Sequence, residues 1–183
     1  MSKTVVLGVT GSIAAYRAAE LCSALRKELI GGESIECRVV MSHCATKFVG
    51  PLTFTTLTQR PVITDSNIGE FADRPEHLAL GDGADLFIVA PATANVIAKM
   101  AHGIADDIVS TTYISVTCPV LVAPAMNVRM WEHVTVQENI ATLVRRGVKV
   151  MHPDDGFLAC GDYGKGRLAD PVAILEAAKA LLA

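Results

Sequence analysis

Five short apolar runs divide the chain, at residues 4–9, 35–41, 85–90, 120–123 and 148–151. They are dominated by Val, Ile, Leu and Ala, and their lack of polar alternation predicts strands covered on both faces. The run at 120–123 stops most abruptly, in Pro124, Ala125, Met126 and Asn127. Between the runs, apolar residues recur every three or four positions. That spacing predicts helices over 13–29 (Ile13, Tyr16, Leu21 and Leu25 as its stripe), 96–102, 107–117 and 134–146. Shorter helical turns are expected at 45–48 and 51–58. A final helix over 171–182 opens on Pro171, at the one helical position where a missing N–H is harmless. Gly31-Gly32 and Gly147 read as helix ends. Residues 65–75 and 153–166 are polar or glycine-rich and aperiodic, which predicts two long loops of the kind that carries function.

Strands alternating with helices predict one α/β domain over residues 1–183. It is three-layered and Rossmann-like, with a mostly parallel sheet and helices on both faces. Ligands of such sheets bind beyond the carboxyl ends of the strands. That rule gathers Thr10, Gly11, Ser12, Ser42, Thr93, Ala94, Asn95, Ala125, Met126 and Asn127 along one edge. All but Met126 are small or polar.

Composition narrows the partners. The 183 residues are 51% hydrophobic and 19% charged, with a net charge of -3. This describes a well-buried domain with no basic patch for nucleic acid and no apolar run of membrane-spanning length. The N-terminus runs directly into a predicted strand, so no signal peptide is expected. Five cysteines, an odd number without a C-x-x-C pair, read as free thiols of a reducing, cytoplasmic setting. The five histidines lack metal-ligand spacing, so no metal is expected.

Several residues stand out as candidate chemistry. Gly8-Val9-Thr10-Gly11-Ser12 is not a dinucleotide fingerprint, and no P-loop lysine follows it. A strand, a tight turn and a helix start can still hold a phosphate through backbone amides and the Ser12 hydroxyl, or Ser12 can simply cap the helix. His77, between a polar loop and a strand start, reads either as a base near neutral pH or as an ordinary loop histidine. Cys160 lies among glycines and cations in the 153–166 loop. A mobile loop presenting a thiol could deliver a proton or a nucleophile. Asn127 can bind a carboxylate or cap a turn. Met130 and Trp131 read as packing.

Together these segments resemble the homo-oligomeric flavin-containing cysteine decarboxylases. Pro91-Ala92-Thr93-Ala94-Asn95 is similar to their PASANT motif, and residues 124–131 match PxMNxxMW throughout. His77 stands where the family has its active-site histidine. The Leu-Ala-Cys-Gly-Asp stretch and its following glycines resemble the flap, here at about 153–167, of the branch that decarboxylates phosphopantothenoylcysteine. One departure is Gly81-Asp82-Gly83, where the family pattern would place a basic and an aromatic residue.

The resemblance implies a flavoprotein decarboxylase domain with FMN as cofactor. It also implies a homotrimer, or a dodecamer of trimers, with FMN near the subunit interface. The implied FMN contacts are Gly11, Ser12, Ser42, Phe48, Thr93, Ala94, Asn95, Val96 and Ala125. Met126 and Asn127 would bind substrate, His77 would orient it or act as base, and Cys160 would donate a proton. A separate phosphopantothenate-cysteine ligase is an implied partner. Rival readings are a lantibiotic-type peptidyl-cysteine decarboxylase, a flavin prenyltransferase and a non-catalytic flavin-binding regulatory subunit.

Overall fold

The structure, a computed structural model, describes residues 2–70, 74–159 and 161–183. In chain order the elements are β1 (Lys3–Val9), α1 (Ala15–Leu25), β2 (Leu29–Ile30), β3 (Glu33–Met41), a 3₁₀ turn (Ala45–Lys47), α2 (Pro51–Thr58), β4 (Ile63–Thr64), α3 (Glu76–Gly83) and β5 (Leu86–Ala92). They continue with α4 (Ala94–His102), α5 (Ile108–Ser115), β6 (Val120–Pro124), α6 (Val128–Trp131), α7 (Val134–Arg145), β7 (Lys149–Val150), β8 (Asp154–Phe157), β9 (Tyr163–Arg167) and α8 (Pro171–Leu182). The expected α/β sheet is present. Its order is β2-β3-β1-β5-β6-β7, with β4 paired to β3.

The strands are parallel except β2, which runs antiparallel to β3. Their unbroken apolar runs follow from burial on both faces. Val5, Leu7 and Val9 of β1 point into one core with Leu21 of α1, Phe54 of α2 and Ile174 of α8. Val6 points into the other, with Phe87 of β5, Met100 of α4, Val109 of α5 and Leu143 of α7. This is the period-2 alternation of a strand sandwiched between two helical layers.

Three expectations need correction. The helix predicted over 13–29 is α1 alone, and its buried stripe is Ala15, Ala18, Leu21, Cys22 and Leu25. Ile13 and Tyr16, assigned to that stripe, are 57% and 58% exposed. Gly31 and Gly32 do not end a helix. Both have positive φ, 59° and 84°, which suits the two-residue turn that folds Leu29 onto Ser34 and Ile30 onto Glu33. Second, residues 85–90 do not end at Pro91, because β5 runs through it to Ala92. Third, the 153–166 stretch is not structureless: β8 and β9 form an antiparallel hairpin. Its glycines hid the alternation that would have marked two strands.

Candidate active site

The chain reverses its winding between β1 and β5. From β1 it proceeds through α1 toward β3, and from β5 through α4 and α5 toward β6. The loops therefore part at this point and open a crevice beyond the strand ends. Thr10, 2% exposed, pins the two sides together. Its hydroxyl donates to the Pro91 carbonyl at 2.6 Å and accepts from the Thr93 N–H at 3.1 Å. Thr93 Oγ1 in turn caps α4 by accepting from Val96 N at 3.3 Å. The positive end of α4 thus lies at the crevice.

The neighbouring loops are fixed as closely. Ser42 N donates to the Val9 carbonyl at 3.1 Å, and Ala125 N to the Ala92 carbonyl at 3.0 Å. A Cβ on Gly11 would stand 2.4 Å from Cys44 Cβ, so only glycine lets the loops after β1 and β3 meet. Ser12 does make a local contact, its Oγ accepting from Ala14 N at 3.2 Å. Asp65 was not anticipated. Its carboxylate accepts from His43 N at 2.9 Å and Ile108 N at 2.7 Å, tying the loop after β3 to the start of α5. The only sequence signal was an Asp at the head of a long loop.

A cleft of about 730 Å³ opens beside these strand ends. Ser12, Ala125, Met126 and Asn127 line it, and so do Ile13 and Tyr16, whose exposure the cleft explains. Phe157, Leu158 and Ala159 of the hairpin cover one side. Arg17 and Arg167 supply positive charge, balanced by Asp170 at 3.2 Å from Arg17 and Asp154 at 3.9 Å from Arg167. The Val172 N–H and the Arg17 guanidinium hold the Asp170 carboxyl below its ordinary range.

Asn127 caps α6, its Oδ1 accepting from Arg129 N at 2.8 Å. Its Nδ2 donates to Asp162 Oδ2 of the hairpin at 2.9 Å. Met126 N donates to the Gly166 carbonyl at 2.9 Å, and a Cβ on Gly166 would lie 2.2 Å from Met126 O. The hairpin is therefore docked directly on the segment after β6. Asp162 and Gly166 belong to the stretch that resembles the family flap, but the sequence assigned neither of them a contact. Trp131 is buried at 6% exposure, as its packing role requires, whereas Met130 is 47% exposed.

The remaining candidates spread more widely. Cys160 lies outside the described residues. His77 sits in the first turn of α3, half-buried, in a helix rather than before a strand. Among the described residues, the cleft lining does not include His77, Ser42, Phe48, Thr93, Asn95 or Val96. Ala94 instead lines a shallow groove with Met130 and His133. Val96 is 2% exposed within the core, and Phe48 is 50% exposed after β3. Gly81 has a packing reason: its Cβ would meet Ser115 O at 2.7 Å, where α3 crosses α5. Asp82 pairs with Arg74 at 2.8 Å.

Fold and site define a Rossmann-like α/β domain with a cleft at the switch point of a parallel sheet, beside a docked hairpin. More particularly, the chain belongs to the Flavoprotein family, whose sequence profile matches residues 1–183. It is 44% identical over 178 residues to the coenzyme A biosynthesis bifunctional protein CoaBC of Bacillus subtilis, covering 97% of this chain and 43% of that protein. The Mycobacterium bovis protein of the same name is 44% identical over 182 residues, 98% of this chain and 41% of that one. The chain thus spans about two fifths of the length of these curated relatives. Among solved structures, a Cys-to-Ser mutant of a PPC decarboxylase complexed with pantothenoylaminoethenethiol superposes with a TM-score of 0.88, at 27% identity over 98% of both chains. SpaF, an FMN-dependent cysteine decarboxylase, gives 0.83 at 32% identity, covering 98% of this chain and 95% of its own.

Proposed function

We propose that this domain is an FMN-dependent carboxy-lyase. It converts 4'-phosphopantothenoylcysteine to 4'-phosphopantetheine in coenzyme A biosynthesis. The observation that carries this reading is Asn127 at the end of β6, its amide turned toward a docked hairpin beside a cleft of ligand size. The bifunctional coenzyme A proteins and the PPC decarboxylase described above support the substrate, and the flavoprotein relatives support FMN.

The residues present suit FMN. Gly11, Ser12, Ser42, Ala94 and Ala125 are small residues at the strand ends, and Ser12 and Ala125 line the cleft, where the backbone is approachable by a flat ring system and a phosphate. The α4 N-terminus, at the neighbouring strand end, favours negative charge, and Phe48 adds an exposed ring beyond β3. Bound FMN supplies a two-electron oxidation of the substrate thiol and later returns those electrons, which makes loss of the carboxylate feasible without an external acceptor.

The chain's own residues do the rest. The Asn127 amide donates to the reacting carboxylate and fixes its direction, because a misplaced group forfeits much of the advantage of proximity. The hairpin covers the cleft and excludes water. Cys160 protonates the carbon that has lost its carboxylate. His77, which does not line this chain's cleft, is supplied to it by the partner subunit of a homotrimer, where it orients the substrate or acts as base. The ligase that makes the substrate works as a partner. The proposed compartment is the cytoplasm, a reading supported by the coenzyme A biosynthesis relatives.

The test is to incubate the protein with FMN and phosphopantothenoylcysteine and read the product mass. Loss of CO2 alone is expected. A product lighter by two further hydrogens would instead indicate the peptidyl-cysteine type of chemistry. Flavin binding without any product would leave the regulatory-subunit reading.

A further inference from the structure

The contact between Asn127 and Asp162 is chemically specific. Asn127 Oδ1 accepts from Arg129 N at 2.8 Å, and Nδ2 donates to Asp162 Oδ2 at 2.9 Å. The opposite amide orientation would set an NH2 against an N–H and a carbonyl oxygen against a carboxylate. The local partners therefore fix the donor toward the hairpin. The neighbouring contacts hold the hairpin in register with it. Gly166 lies too close to Met126 for any side chain, and a Cβ on Gly164 would meet Val128 Cγ2 at 3.0 Å. The Asp162 carboxylate is thus brought to Asn127 by a built interface and not by a loose side chain.

We propose that Asp162 is a place-holder for the substrate carboxylate. Its carboxylate occupies the Asn127 donor on which the reacting carboxylate must sit, and a ligand gains that donor by displacing it. This inference rests on the reading of Asn127 as the carboxylate-binding group. Two carboxylates on one amide repel each other, so a carboxylate ligand and the Asp162 contact exclude one another. A ligand without a carboxylate leaves the contact in place. Asp162 therefore sets selectivity: it penalises any carboxylate ligand that does not bind strongly enough elsewhere in the cleft to drive the exchange. After CO2 departs, nothing competes for the donor, and Asp162 returns to it as the product leaves.

The experiment uses two unreactive ligands on the FMN-loaded protein. One is the serine analogue of phosphopantothenoylcysteine, in which a hydroxyl replaces the thiol. The other is its counterpart lacking the carboxylate. Both are titrated by calorimetry against the wild type, Asp162→Ala and Asp162→Asn. Asp162→Ala is expected to bind the carboxylate ligand about tenfold more tightly than the wild type, the factor that losing one charged competitor for a hydrogen bond is worth. Binding of the carboxylate-free ligand should not change. Asp162→Asn, which keeps an acceptor without the charge, should fall between the two. If both ligands shift together, Asp162 only packs the hairpin and the inference fails. Weaker binding of the carboxylate ligand to Asp162→Ala also overturns it. If the wild type binds neither ligand, the substrate reading itself is wrong, an outcome separate from the other two.

Discussion

At the residue scale the proposed site turns on Asn127, whose amide caps α6 with one end and offers the other to the cleft side. Oδ1 serves the Arg129 N–H and Nδ2 serves the cleft side. Asn127→Asp separates these duties. An aspartate still caps α6, so folding and flavin binding should survive. The donor is lost, however, and a second carboxylate then faces Asp162. We expect substrate binding to weaken roughly a hundredfold or more, about 2–3 kcal/mol. Steady-state kinetics together with flavin absorbance would check this, and near-normal kcat/KM would refute the role of Asn127. Sequence reasoning reached Asn127 because a polar residue ending an apolar run is conspicuous. It gave no role to Asp162, whose partner is 35 positions away, or to Asp65, whose partners are 22 and 43 positions away, because such contacts leave no local pattern. It also placed Ile13 and Tyr16 in the core. Helical spacing shows which residues share a face, but not whether that face meets a helix or a cleft.

At the element scale, α5 shows how the helices around the site are secured. Asp107 caps it by accepting from Ser110 N at 2.8 Å, and the Ser110 hydroxyl returns a bond to the Asp107 backbone. Lys99 pairs with the same carboxylate at 2.5 Å. Burial raises the Asp107 carboxyl, but Lys99 and the Ser110 bonds outweigh it, and the net shift is downward. A carboxylate held below its unfolded value stabilises the fold above that value, near pH 4, and loses this as pH falls through its folded value. Asp107→Ala should therefore cost about 1 kcal/mol or somewhat more at neutral pH, and progressively less on acidification. Urea unfolding at several pH values would measure it, and a cost independent of pH would show that the ion pair contributes nothing. The long elements were legible because their apolar spacing is regular. The β8–β9 hairpin was not, because its glycines are there to let it approach Met126 and Val128, and that demand erases alternation.

At the scale of the whole molecule, the distribution of the candidates has a consequence. Asn127, Met126 and Ser12 share one cleft, and His77 is absent from its lining. In the proposed homotrimer, each site combines Asn127 of one protomer with His77 of the partner subunit. Two inactive chains, His77→Asn and Asn127→Asp, should then restore each other when unfolded, mixed and reassembled. Random assembly leaves roughly a quarter of the sites with both residues intact. Recovery of about that share of activity would support the shared site. No recovery from correctly assembled oligomers would place both groups in a single chain.

The sequence by itself determined the strand and helix alternation, the doubly covered parallel sheet and the edge where the small and polar strand-end residues gather. Each of these follows from local apolar periodicity and from where a strand stops. It also determined the family resemblance, through two short motifs at adjacent strand ends. Only the tertiary structure decided which of those strand ends share a cleft, and that the glycine-rich stretch folds back as a hairpin onto Asn127. It alone revealed that an aspartate of that hairpin occupies the Asn127 amide. The physical reason is the same throughout. A hydrophobic pattern reports how much water each position sees, whereas a polar contact between distant residues depends on how the packed layers bring two loops together.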